Sequence, residues 1–259
     1  MKPKDYVELY RLARKRLNSE EDYWEFQRFQ AALILEYLAK FQVVVKDWVV
    51  LDLGSGVGGY SSLMREREAM VISLDLVMPT QHSLASRGFQ VVGDALRIPI
   101  LDSSLDFVFC ASLIEHVSNP RLLLQEIERV LKPGGYCYLS FPPYYSIRGG
   151  HEFSPFHLLG EQVALRISKL LRRATPEWSA RIYAPEISPT SFKHLYRNWG
   201  LHKLTISEAR KLVSSSKFSV IDCSTRYIPI NTTKWGLIGE FLTWHAQFLL
   251  RKREQTDDS

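Results

Sequence analysis

An apolar run, Val49-Val-Leu-Asp52-Leu, ends in Gly54-Ser55-Gly56-Val-Gly58-Gly59 and passes into a helical pattern. Glycines at a strand-to-helix turn let the backbone approach a ligand and set helix N-terminal N–H groups beside it. Gly54, Gly56 and Gly59 also satisfy the GxGxxG pattern of dinucleotide binders, so the turn alone does not choose its ligand. Asp75 closes a second apolar run 21 residues after Gly54, where a carboxylate can accept hydrogen bonds from both hydroxyls of a ribose. Asp94 follows a third run, in Val91-Val-Gly93-Asp94-Ala95, placed to accept from an adenine amino group. Ser112 follows a fourth. The carboxyl ends of the strands in an open parallel sheet line one crevice, so these scattered residues converge on one ligand.

Histidine is the natural acid or base near neutral pH, and three of the seven present lie where they would reach that crevice. Glu115-His116 follows the fourth run, where a structural or ligand-orienting role outweighs that of a base. His151 and His157 lie in the loop Pro142 to Gly160, which leaves the fifth run and must pass over the site. With Tyr144, Tyr145 and the hinge-like Gly149-Gly150, this loop reads as a lid that gates and touches a substrate. His151 is the leading candidate base, with Tyr144, His157 and His116 as further candidate catalytic residues; the alternative is an ordered cover whose aromatics pack together. Two histidines six residues apart, with no further ligand cluster, match no common metal site, so no metal is expected.

The elements that must position these residues follow from hydrophobic period. Helical spacing predicts helices over Tyr6 to Leu17 and Glu20 to Phe41, packed across the site or the sheet edge. From Asp47 onward, short β-branched runs alternate with helical stretches, the pattern of βαβ units. Strands are predicted at Trp48 to Leu53, Met70 to Asp75, Gln90 to Val92, Leu105 to Ala111 and Gly135 to Phe141. The helices between them would cover Gly59 to Arg67, Pro79 to Arg87 and Pro120 to Leu131. A basic helical stretch runs from Leu158 to Arg173, Thr205 to Glu208 has capping-box spacing for a helix to Ser215, and Phe218 to Ile221 reads as a returning strand. The expected fold is α/β: a Rossmann-like, mainly parallel sheet with helices on both faces, N-terminal helices, and an inserted lid and acceptor region after the fifth strand. Residues 1–45, 46–145 and 146–259 divide accordingly.

The stretches VVLDLGSGVGGYS, VISLDLV, VVGDALRIPILDSSLDFVFCASLIEHV and RVLKPGGYCYLSFPP resemble the class I S-adenosylmethionine-dependent methyltransferases, in particular their methyltransferase type 11 branch. The resemblance covers about residues 47–143. It implies S-adenosylmethionine as cofactor and a cofactor set of Asp52, Gly54, Ser55, Gly56, Asp75, Leu76, Asp94, Ala95 and Ser112. Within it Asp52, Gly54 and Gly56 would hold the methionine moiety, Asp75 the ribose, and Asp94 with Ala95 the adenine. Ser112 would lie near the methionine amine or the methyl. Asp52 adds a physical argument: a carboxylate before the glycines suits an α-ammonium and would repel a pyrophosphate. The implied activity is methyl transfer to a small-molecule or glycan- or lipid-linked acceptor, at oxygen; N- or C-methyl transfer and a catalytically silent cofactor-binding module are the alternatives. The lid stretch Gly149 to Gly160 and Leu242-Thr-Trp244 also resemble a bacterial methyltransferase subgroup that brings no defined acceptor with it.

Composition narrows the partners. At 259 residues and 46% hydrophobic, the chain can bury a large α/β core. Three cysteines without a CxxC pair suit a reducing compartment, and residues 1–16 show no apolar leader, so cytoplasmic residence is the expectation. Residues 148–259 carry 17 Lys and Arg against 10 Asp and Glu, whereas residues 1–147 carry 16 against 18. No nucleic-acid partner is expected, because Pro142-Pro-Tyr144 follows the fifth strand rather than the fourth, where an amino-methyltransferase places such a motif. Phe241 to Arg253 reads as a helix with a basic end, suited to peripheral membrane contact or to docking on the sheet.

Overall fold

The change of hydrophobic period at Asp47 marks the start of a seven-stranded sheet. The computed structural model describes residues 1–77, 88–171 and 202–254. Two helices come first, α1 (Pro3–Lys15) and α2 (Glu20–Ala39). Ser19 caps α2 by accepting the Asp22 N–H at 3.0 Å, and three acids in the first turn complement the positive end of the helix. Then follow β1 (Val49–Leu53), α3 (Gly59–Glu66), β2 (Met70–Asp75), β3 (Phe89–Val92), β4 (Leu105–Ala111), α4 (Pro120–Val130) and β5 (Leu131–Phe141). The helix expected over Pro79 to Arg87 lies outside the described residues. The chain continues through α5 (Glu161–Leu170), α6 (Ile206–Ser214), β6 (Phe218–Thr225), α7 (Gly236–Leu242) and β7 (Ala246–Lys252). As its spacing implies, α6 opens on a reciprocal capping box between Thr205 and Glu208.

Across the sheet the order is β3-β2-β1-β4-β5-β7-β6. The first five strands pair in parallel, and β7 runs antiparallel to both β5 and β6. Chain order reverses between β1 and β4, and an open sheet forms its ligand crevice at the carboxyl ends of the strands beside such a reversal. The pleat sends alternate side chains into two cores. Leu51, Leu53, Val108, Cys110, Leu139 and Phe248 face one core with α4 and α6, while Val50, Phe107, Phe109, Tyr138 and Leu249 face the other with α2 and α3.

Two expectations are corrected. β5 begins at Leu131 rather than Gly135, because Leu131 already pairs with Leu105 and a register shift then absorbs the Pro-Gly-Gly turn. The helix expected over Phe241 to Arg253 is a short α7 ending at Leu242, followed by β7. Residues Ala246 to Leu250 are all buried, Gln247 included, and a strand covered on both faces shows no period-two alternation of apolar and polar residues. The basic end is held within the fold, with Lys252 Nζ donating to the Leu131 carbonyl at 2.6 Å and Arg251 Nε to that of Gly134 at 3.2 Å. Peripheral membrane contact through a basic C-terminal helix therefore has no helix to rest on. Among the described residues, no helix is long and apolar enough to cross a membrane.

Candidate functional site

The glycine turn is built for close approach. Gly54 has φ +78, and a Cβ there would meet the Leu113 side chain at 3.1 Å. The Gly54 and Ser55 N–H groups donate to the Leu74 carbonyl, which locks the turn to β2. Gly56 N–H donates to Asp75 Oδ2 at 2.8 Å, drawing the carboxylate to the mouth of the turn. Burial pushes the Asp75 carboxyl above its ordinary range, against the backbone N–H groups of Gly56, Val77 and Leu76.

A cavity of about 390 Å³ opens at the strand ends. Its wall includes Gly54, Gly56, Asp75, Leu76, Asp94, Ala95 and Ser112, so seven of the nine expected cofactor residues are gathered in one place. Asp52 and Ser55 are not on that wall. The pleat turns Asp52 the same way as Val50, toward α3, where Ser61 donates its hydroxyl to Asp52 Oδ2. Burial pushes the Asp52 carboxyl up to about 7. Ser112 has φ +56, a region costly for a residue with a Cβ, and its N–H donates to the Ser140 carbonyl at 2.8 Å.

The same cavity is also lined by His116, His151, Arg148 and Trp244, with Arg148 lying 5.6 Å from the centre of the Trp244 ring. The His116 and His151 rings meet at 4.9 Å, tilted by 65°. His151 also has a left-handed backbone, with φ +50. Behind them Glu115 is 1% exposed, its Oε1 3.6 Å from His151 Nε2 and 4.0 Å from His116 Nε2. Burial pushes the Glu115 carboxyl up to about 7, against the pull of His116. Among the described residues, neither Glu115 oxygen has a hydrogen-bond partner.

The other two candidate catalytic residues do not reach the cavity. His157 is buried, its Nε2 lies 2.8 Å from the Tyr144 carbonyl oxygen, and its ring stands edge-on to that of Tyr144 at 5.4 Å. Burial lowers its pKa below the ordinary histidine value. This pair cross-braces the loop that presents His151. Gly150 is packed against the brace: a Cβ there would come within 2.2 Å of the His157 ring.

Sequence patterns did not mark several further wall residues. Leu9 and Ala13 of α1 and Tyr23, Phe26, Gln27 and Gln30 of α2 roof the cavity, which places the N-terminal helices over the site. Gln27 Oε1 accepts the Gly59 N–H at 2.9 Å, fastening the roof to the start of α3. Tyr227 and His245 also line the cavity, and buried Arg226 lies against both, its guanidinium 5.2 Å from the centre of the Tyr227 ring and its Nη1 3.4 Å from His245 Nε2. Apolar or amphipathic position was the only available signal, and it does not tell a roof from a core.

Comparison with known proteins agrees with this geometry. Residues 51–139 match the family model "Methyltransferase domain". The chain is 37% identical over 120 residues to the "Biotin biosynthesis bifunctional protein BioHC" of Cellvibrio japonicus, covering 44% of this chain and 23% of that one. It is 34% identical over 138 residues to the "Malonyl-[acyl-carrier protein] O-methyltransferase" of a Marinomonas species, covering 50% of each. The chain thus spans half or less of the length of these relatives. A crystal structure of an S-adenosylmethionine-dependent methyltransferase from Mesorhizobium loti superposes with a TM-score of 0.54 at 15% identity, over 83% of this chain and 96% of that one. The strand order, the glycine turn with Asp75 at its mouth and the family match converge: the chain carries a methyltransferase domain with the S-adenosylmethionine-dependent class I fold.

Proposed function

We propose that the protein transfers the methyl group of S-adenosylmethionine to an oxygen atom of a small-molecule or glycan- or lipid-linked acceptor. The observation that carries this reading is a single cavity lined both by strand-end carboxylates with a glycine turn and by the imidazoles of His116 and His151. The residues fit the cofactor. The turn at Gly54 and Gly56 lines the cavity, Asp75 offers a carboxylate to the ribose hydroxyls, and Asp94 with Ala95 frames the adenine. Asp52 lies behind the turn, hydrogen-bonded to Ser61, and braces it without a direct contact.

Bound there, the cofactor supplies an electrophilic methyl on a sulfonium. The protein must then align an acceptor lone pair behind that methyl and ease loss of the hydroxyl proton. His116 and His151 stand on the wall where that oxygen would arrive, and the strained backbone of His151 is held by the brace behind it. The Marinomonas relative, named for methyl transfer to oxygen, supports the choice of atom.

The test is methyl transfer from carbon-13-labelled cofactor to small-molecule, glycan and lipid fractions of a cell extract, read by the carbon shift of the transferred methyl. A methoxyl signal is expected. An N-methyl or C-methyl product overturns the assignment to oxygen, and cofactor binding without any product makes the chain a silent binding module.

A further inference from the structure

The imidazole wall contains a grouping that nothing so far explains. Glu115 sits in the single turn after β4, His116 follows it, and His151 arrives from the loop after β5. One ligand-type atom from each lies within 4.8 Å of the others. The separations of 3.6 and 4.0 Å between the Glu115 oxygen and the two imidazole nitrogens are too long for hydrogen bonds. They are close to the spacing of atoms sharing one ion: imidazole nitrogens and carboxylate oxygens bind zinc-like cations at about 2.0–2.2 Å, which sets neighbouring ligands about 3–4 Å apart.

The environment of Glu115 points the same way. A buried carboxylate is costly unless it is paired or hydrogen-bonded, yet among the described residues both oxygens of Glu115 lack a hydrogen-bond donor. A cation between the three side chains removes that cost. His116 and His151 also line the cavity, so an ion held there would keep a coordination position turned toward the acceptor.

We propose that Glu115, His116 and His151 form a binding site for one divalent transition-metal ion, which coordinates the acceptor oxygen. Two imidazoles and one carboxylate suit borderline ions of the zinc, cobalt and iron class rather than calcium or magnesium. This departs from the expectation of no metal because the ligands are not the pair His151 and His157. His157 turns inward, and the turn after β4 supplies two ligands in its place. The role of the ion rests on the methyl-transfer reading; its binding does not. A coordinated hydroxyl is acidified and releases its proton to water, and its oxygen then attacks the methyl carbon. The O–CH3 bond forms as the S–CH3 bond breaks, and the electron pair stays on sulfur as a neutral thioether.

The experiment uses the full chain without an affinity tag, stripped by chelator and titrated with cobalt(II). One equivalent should bind, with visible d–d bands that added zinc abolishes. His116→Ala and His151→Ala should each weaken cobalt binding about 100-fold while S-adenosylmethionine still binds, which shows that the variants are folded; if an alanine variant does not fold, the bulkier His116→Gln and His151→Gln serve in its place. Absence of stoichiometric cobalt uptake by the parent protein, or uptake unchanged in the folded histidine variants, overturns the site. The two readings fail separately. Methoxyl formation at full rate after chelation overturns the ion's role at the acceptor and leaves O-methyl transfer standing; cobalt uptake without any methoxyl product overturns O-methyl transfer and leaves the metal site standing.

Discussion

Asp52 and Asp75 lie on neighbouring strands, yet only Asp75 is on the cavity wall. Asp75→Ala should weaken S-adenosylmethionine binding by about 1–3 kcal/mol, the range for leaving buried hydroxyls unpaired, and calorimetry giving the parent affinity would remove it from the ribose site. For Asp52 the signature is in stability. Its folded carboxyl titrates at about 7, above the unfolded value, so ionisation is penalised in the native state. Stability of the cofactor-free protein is therefore greatest below the unfolded pKa and declines as pH rises from about 4 to about 7, by roughly 2–4 kcal/mol from this group. Asp52→Asn, which is neutral throughout, should gain on the parent over that window and match it in acid; denaturation curves that stay parallel across the range would contradict the buried charge. His151→Ala should leave cofactor affinity intact and lower turnover by about 10²-fold or more, and an unchanged rate would take it out of the reaction. Asp75, Asp94 and Ser112 were legible because strand carboxyl ends are set by local pattern. Glu115 beside His151 was not, because 36 residues separate them and only tertiary folding fixes their distance.

At the scale of elements, the loop after β5 is a braced support. Gly149 and Gly150 read as a hinge in the sequence, but their Cβ positions are taken up by the Pro143 carbonyl oxygen and the His157 ring. Gly150→Ala should destabilise the fold by about 1–3 kcal/mol through overpacking. Adding His157→Ala should relieve part of that cost, giving a favourable coupling in a double-mutant cycle; strictly additive losses would mean the two do not touch. The capping boxes and the glycine turn were readable because their chemistry is local. The segment Phe241 to Arg253 was misread because a strand buried between two neighbours and a buried helix can share a short apolar-rich pattern, and only pairing with β5 and β6 decides.

Over the whole molecule, residues that a sequence reading assigns to separate regions complete one sheet. β7 lies inside it, flanked by β5 and β6, so it is a core strand rather than an appendage. Truncation before Ala246 should abolish cooperative unfolding; a soluble, cooperatively melting protein ending at His245 would refute this placement. The mainly parallel architecture was foreseen from alternating patterns. The position of the last strand was not, since sheet order depends on which edges remain open once the earlier strands have paired. That order also bears on synthesis at the ribosome. While the nascent chain grows, β5 presents a bare edge that β6 does not cover directly, and the strand that seals it is the last element of the sheet to emerge. An unsealed apolar edge invites pairing with other chains, so interrupted or slowed translation of the final segment should leave aggregation-prone fragments that need chaperone protection until β7 slots in.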